Sequence, residues 1–250
     1  MKKISIIIPL IDERYCEATN IQEGMSSMQL VFLPLLNHPT LIQQLNDYAL
    51  SYPDSVHILP APDKNTDIVS MVSEAVTGEY VLFYDMGNRW EEHALEKVYQ
   101  HFEKTPNSFD LCLCNEVFQK KTSAKSTFRF MYKSGNTFKD VRENPRYLAV
   151  SLNNVIFRRD VLCRAAMKLE NQIRAYSYGW DLMLITEILK ENPVVGIAAS
   201  ADFIYCSSEE LSGQKPVEAN EYPEALRRLF CALKEGCVPE LDSYVQNLQM

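Results

Sequence analysis

Gly78-Glu79-Tyr80-Val81-Leu82-Phe83-Tyr84-Asp85-Met86-Gly87-Asn88 decides the reading of this chain. Five apolar or aromatic residues in a row, too few for a helix and bracketed by Gly78 and a polar break at Asp85, predict a strand buried on both faces. The residues before it repeat the logic of a crossover. Ile68, Met71, Val72, Ala75 and Val76 recur at helical spacing, and Gly78 is the natural C-terminal stop of that helix.

Further strands flank this unit. Ile4-Ser5-Ile6-Ile7-Ile8 is a β-branched run stopped by Pro9, Gln29 to Leu33 ends at Pro34, and Val56 to Leu59 precedes a loop rich in Pro and Asp. A helix carrying Leu41, Ile42, Leu45, Tyr48 and Ala49 separates the second strand from the third. Strands alternating with short helices predict a mainly parallel sheet built by right-handed crossovers. Ligands of such sheets bind beyond the carboxyl ends of the strands, which singles out the loops Leu10–Glu13, Pro34–Thr40 and Asp85–Trp90. Pro9, Pro34 and Asp85 should therefore share one edge.

Downstream, Ala94, Leu95, Val98 and Phe102 predict an amphipathic helix with His93, Lys97, Gln100 and Glu103 largely outside. Asp110 to Val117 is a fifth strand, another starts at Asn154, and Arg159 to Lys168 is a helix. Trp180 to Leu189 forms an apolar helix, Val194 to Cys206 one or two strands, and Tyr222 to Glu235 an amphipathic C-terminal helix. Between them, Phe128, Phe130 and Tyr132 alternate with Arg129, Met131 and Lys133 ahead of a turn signal at Ser134-Gly135-Asn136. Residues 1–213 are read as one domain and 214–250 as a helical extension packed on it.

Composition bounds the function. The 250 residues are 46% hydrophobic, enough for a sizeable core, and carry a net charge of −8, which disfavours binding to a nucleic-acid backbone. Lys120, Lys121, Lys125, Arg129, Lys133, Lys139 and Arg142 against Asp140 and Glu143 leave +5 in residues 119–144, and hence −13 elsewhere. Seven Cys without paired spacing fit a reducing cytoplasm, and Cys112 and Cys114 are small core residues. No transmembrane segment or zinc spacing is present, and the Met1-Lys2-Lys3 start lacks a cleavage site.

Five stretches, in order, resemble family 2 glycosyltransferases of the GT-A fold, the Rossmann-like fold of nucleotide-diphospho-sugar transferases. They are Ser5 to Glu13, Gly78 to Asn88, Asn153 to Leu162, Tyr178-Gly179-Trp180-Asp181-Leu182 and Phe203 to Ser212. The resemblance implies α/β architecture with a central, mainly parallel sheet flanked by helices. It further implies transfer of a sugar from a nucleoside diphosphate sugar to an acceptor hydroxyl, of the kind used in bacterial surface polysaccharide synthesis. Asp181 falls at the family's catalytic base. Asp85 falls at the Asp-x-Asp motif, where a hard cation, Mg²⁺ or Mn²⁺, meets the diphosphate. Pro9, Asp12, Glu13 and Asn88 are the further donor-binding candidates.

Three positions depart from the family. Leu33-Pro34-Leu35 stands where an acidic pair contacts the nucleoside, Gly87 replaces the second metal-motif Asp, and Trp180 replaces the acidic neighbour of the base. One carboxylate in place of two implies weak, nucleotide-dependent metal binding. A glycan, a lipid-linked chain or a polyol-phosphate is the implied acceptor, with the basic stretch steering its phosphates. The implied location is cytoplasmic, peripheral to the inner face of the membrane. Each residue also has a plainer reading: Asp85 as a turn cap, Asn88 as an exposed loop residue, Asp12 and Glu13 as loop openers, Asp181 as an N-terminal helix residue, Trp180 as a core aromatic. The alternative for the whole chain is a catalytically inactive GT-A domain that binds a glycan or a protein.

Overall fold

A computed structural model describes residues 3–10, 27–35, 39–63, 65–84, 89–90, 93–104, 109–120, 126–130, 155–169, 184, 187–188, 191 and 193–207. The chain divides into two compact units, Met1–Gly87 with Phe157–Tyr176 and Asn88–Ile156 with Ser177–Met250. The predicted 213/214 boundary and the C-terminal helix lie outside the described residues.

In the first unit β1 (Ile4–Leu10) pairs in parallel with β2 (Met28–Pro34) on one side and β4 (Tyr80–Phe83) on the other, and β3 (Val56–Ile58) extends the sheet in parallel from β2. β8 (Val155–Arg158) adds beyond β4. It runs the opposite way, because the Arg159 N–H just past its end donates to the Glu79 carbonyl just before β4 starts. Both faces are covered: Ile6, Ile7 and Ile8, whose side chains alternate across the sheet, are all within 1% of complete burial. Each such side chain contributes on the order of 1.5–3 kcal/mol.

Helices α1 (Pro39–Ser51) and α2 (Ile68–Ala75) form the crossovers, and α4 (Arg159–Lys168) packs on α2 and β4. Leu41 and Leu45 bury the inner stripe of α1, and Ile68, Val69 and Val72 that of α2. Asp67 caps α2, its carboxylate accepting the Val69 and Ser70 N–H groups at 3.2 and 3.1 Å.

In the second unit β6 (Leu111–Lys120) pairs in parallel with β9 (Val195–Ser207). β7 (Ser126–Phe130) adds antiparallel to β6, and β5 (Arg89–Trp90) antiparallel to β9. Helix α3 (Ala94–Lys104) packs on β9, with Ala94 and Phe102 buried. Phe109 lies against Gly196, where an added Cβ would sit 2.9 Å from its ring. Cys112 and Cys114 are fully buried, as the alternation requires.

The structure corrects the sequence reading in two places. Pro9 does not stop β1, which continues to Leu10 with Pro9 in register with Leu33. Gly78 is not the stop of α2: the helix ends at Ala75 and Val76 is already extended. β2 ends at Pro34 and β9 covers the strand expected over Val194 to Cys206. β7 returns antiparallel along β6 after residues 121–125, and the turn signal at 134–136 lies outside the described residues.

Candidate functional site

The carboxyl edge of the parallel strands is built by main-chain bonds that can be followed strand by strand. Leu59 N–H donates to the Phe32 carbonyl (2.9 Å), Leu35 N–H to Leu10 (3.0 Å) and Tyr84 N–H to Ile7 (2.8 Å). Pro9, the Pro34 turn and Tyr84, the last described residue before Asp85, therefore share one edge, as three strands of one direction require.

Pro9 shapes that edge. Successive residues of a strand turn their N–H and C=O groups to alternate sides. Ile7 faces β4 and Leu10 faces β2, so position 9 faces β4. A residue with an N–H there would carry the β1–β4 ladder one step further; proline has none. The last β1–β4 bond among the described residues is Tyr84 N–H to Ile7, and Pro9 offers no donor for the Tyr84 carbonyl, while β1 keeps its pairing to β2 through Leu10.

The opposite end of β4 is locked. Gly78 lies so close to β1 that a Cβ would sit 2.5 Å from Ser5 N and 2.7 Å from the Ile4 carbonyl carbon, both backbone atoms. Its N–H donates to the Ser5 hydroxyl (2.8 Å), which itself donates to Gln29 Oε1 (2.6 Å). Gln29 completes the knot, Oε1 accepting the Thr77 N–H and Nε2 donating to the Ala75 carbonyl. Ser5 is fully buried and Gln29 nearly so, hence each polar atom of this knot needs its partner. Arg158 pairs with Glu79 at 3.8 Å and lies 5.7 Å from the centre of the Tyr80 ring. The Gly-Glu-Tyr sequence is thereby explained residue by residue: no room for a side chain, an ion-pair partner, and a ring beneath a guanidinium. Ser5 and Gln29 were not singled out in the sequence, since a polar residue inside an apolar strand is visible but its partners are not.

At the end of β2, Leu33 is fully buried and Leu35 nearly so. Where the resembled family carries acids, this chain presents apolar side chains that belong to the core. Asp12, Glu13, Asp85, Asn88 and Asp181 lie outside the described residues, as does Trp180. β5 follows directly on Asn88 and ties Arg89 to Ile204 and Trp90 to Phe203. Two residues make too short a pattern for sequence periodicity to find. Among the described residues no group of three or more His, Cys, Asp or Glu side chains converges to hold a metal, and no helix is long and apolar enough to cross a membrane.

No protein-family profile and no curated protein sequence matches the chain. Solved structures do. S. aureus TarS 1-349 matches at 12% identity with a TM-score of 0.64, covering 93% of this chain and 65% of that one. The same protein in complex with UDP-GlcNAc matches at 14% identity and a TM-score of 0.63. The mannosyltransferase PcManGT from Pyrobaculum calidifontis, in complex with GDP-Man and Mn²⁺, matches at 12% identity and a TM-score of 0.57, over 99% of this chain and 79% of that one. The chain has a GT-A glycosyltransferase-like fold, α/β with a mainly parallel sheet flanked by helices. At these identities the likeness is one of fold, and the chain spans 65% of the TarS 1-349 length.

Proposed function

We propose that the chain is a nucleotide-sugar-dependent glycosyltransferase domain. The observation that carries this is the strand order: β1 lies between β2 and β4, so the order reverses between β1 and β4, and Pro9 and Tyr84 stand at that carboxyl edge. Ligands of an open parallel sheet bind beyond the carboxyl ends at such a reversal. Two fold neighbours support a nucleoside diphosphate sugar as that ligand, one solved with UDP-GlcNAc and the other with GDP-Man and Mn²⁺.

In this reading Pro9, Asp12, Glu13 and Asn88 line the donor, and Asp85 meets its diphosphate. Asp85 and Asn88, one carboxylate and one amide oxygen, would hold Mg²⁺ or Mn²⁺ weakly without the nucleotide. Such an ion would supply neutralisation of charge on the leaving diphosphate. Asp181 accepts the acceptor hydroxyl proton as the oxygen bonds to the anomeric carbon, and the bond from that carbon to the diphosphate breaks with its electrons leaving on the phosphate oxygen. The acceptor is a glycan, a lipid-linked chain or a polyol-phosphate, the setting bacterial surface polysaccharide synthesis in the cytoplasm.

The test is a melt of the full chain with UDP, GDP or CDP, each with and without Mn²⁺. One nucleotide should raise the midpoint, more with Mn²⁺ than without, because a ligand bound only by the folded state stabilises it. Asp85→Asn should abolish the Mn²⁺-dependent part. A flat response to every pair refutes the proposal.

The buried apolar end of β2 favours a second reading, a GT-A domain without turnover that binds a glycan or a protein, since Leu33 and Leu35 have no group to offer a nucleoside. It predicts no melt response to nucleotides and no transfer or hydrolysis across a panel of sugar nucleotides.

A further inference from the structure

β3 has β2 as its partner on one side, and no described strand pairs with the other. Its main-chain bonds tell the two sides apart. The Ser55 carbonyl accepts the Leu30 N–H and the Leu59 N–H donates to Phe32, so residues 55, 57 and 59 turn their N–H and C=O groups toward β2. Val56 and Ile58 turn theirs outward. The Val56 N–H is taken by the Tyr52 carbonyl at 2.9 Å. The Val56 carbonyl and both main-chain groups of Ile58 are left on the open edge, without a partner among the described residues.

The surroundings of this edge specify what would pair with it. The Tyr48 and Tyr52 rings lie 5.1 Å apart, and Tyr48 meets Phe32 edge-on at 6.0 Å. Phe32 is the register partner of Ile58, so the rings lie on the same face of the sheet as the half-buried Ile58 side chain. An apolar side chain of an added strand finds apolar surface there. Sheet edges are commonly guarded by lysine, and this one is not. From Met28 to Asp63 the sequence contains no Lys or Arg, while Asp47, Asp54 and Asp63 are all exposed.

We propose that the outer edge of β3 is a docking site for an extended, cationic segment of a partner protein, which adds to the sheet as a further strand. Main-chain bonds to Val56 and Ile58 hold the segment in register, apolar side chains on one of its faces cover the Tyr48 and Tyr52 rings, and a Lys or Arg at its end meets Asp54. A second copy of this chain fits poorly, because two β3 edges brought together set acids against acids. Docking at this edge requires neither sugar transfer nor its absence.

The probe is a fluorophore-labelled peptide, acetyl-Lys-Val-Thr-Val-Lys-amide, titrated with the full chain and followed by anisotropy. Saturable binding that weakens with salt is expected, together with slowed hydrogen exchange at the Ile58 amide. The same peptide with Glu in place of Lys should bind about tenfold more weakly. Ile58→Pro removes the outward N–H and no bond to β2, so it should melt near the wild-type midpoint and bind the lysine peptide at least about tenfold more weakly. Asp54→Lys, at an exposed position outside the strand, should invert the preference in favour of the glutamate peptide, and it decides the matter should Ile58→Pro melt lower. Absence of binding by the lysine peptide overturns the proposal. So does an unchanged preference in Asp54→Lys, and so does an Ile58 amide that exchanges equally fast with and without peptide. A dimer of the chain that Ile58→Pro dissolves would also overturn it, by assigning the edge to a second copy.

Discussion

Gly78→Ala is the most searching test of how β4 is set. The added Cβ would lie 2.5 Å from Ser5 N and 2.7 Å from the Ile4 carbonyl carbon, against an ordinary contact of 3.4 Å or more. Both obstacles are backbone of a central strand paired on two sides, so β1 cannot yield without disturbing β2 as well. Strain of this kind costs about 1–3 kcal/mol. Whatever part of the overlap is relieved by moving Gly78 away stretches its 2.8 Å bond to Ser5 Oγ as well, and a buried N–H left without its partner costs about 1–3 kcal/mol more. A combined loss of about 4 kcal/mol lowers the melting midpoint by roughly 8–16 °C in a chain of this size, measurable by calorimetry or by circular dichroism at a helical wavelength. The companion variant is Gly78→Asn. If the glycine were there to adopt a left-handed helix end, asparagine would be tolerated better than alanine. On the steric account asparagine is as damaging or worse. A midpoint within about 2 °C of wild type for Gly78→Ala, or a clear advantage of asparagine over alanine, would refute the reasoning.

Ser5→Ala should lower the midpoint by roughly 4–8 °C, the consequence of about 2 kcal/mol for leaving the buried Gly78 N–H without an acceptor and taking one donor from Gln29. Asp181→Asn should reduce sugar transfer by about 10² or more while leaving the nucleotide-induced melt shift nearly unchanged; equal loss of both would assign it to donor binding instead. The Tyr48 phenol, held above its ordinary pKa of 10.0 first by burial and then by Tyr52, contributes stability that is fully present below pH 10 and is lost as pH rises through the elevated folded value. Tyr48→Phe should therefore flatten the alkaline decline in melting temperature, and an identical decline in both proteins would contradict it.

The strands and helices of the first unit were legible because each carries its own periodicity. Apolar runs bounded by Pro or Gly announced β1, β2 and β4, and helical spacing announced α1, α2 and α4, the last with both ends in place. What escaped was set by partners distant in sequence. Pro9 reads locally as a strand end, and only the register with Leu33 shows that β1 runs on through it. Gly78 reads locally as a helix stop, and only the approach of Ser5, 73 residues away, reveals a steric requirement. β5 is two residues long and exists because β9 offers it an antiparallel edge. Of the candidate site, Pro9 is the one residue whose placement the structure describes, and its position at the carboxyl edge follows from strand direction alone.

The same geometry bears on the choice between an enzyme and a binding domain. Selection on fold alone would keep the Ser5–Gln29–Gly78 knot, the Arg158–Glu79 pair and the apolar strand interiors, since these hold β4 against β1 and β8. It would not require a proline at position 9, where any β-branched residue would extend the ladder to β4 and strengthen the sheet. Pro9→Val separates the two pressures. If the carboxyl edge between β1 and β4 serves a ligand, the variant should melt at or above the wild-type midpoint while losing the nucleotide response, a trade of function for stability typical of binding edges. If the variant keeps its nucleotide response, the proline is incidental and the ligand site does not begin between β1 and β4.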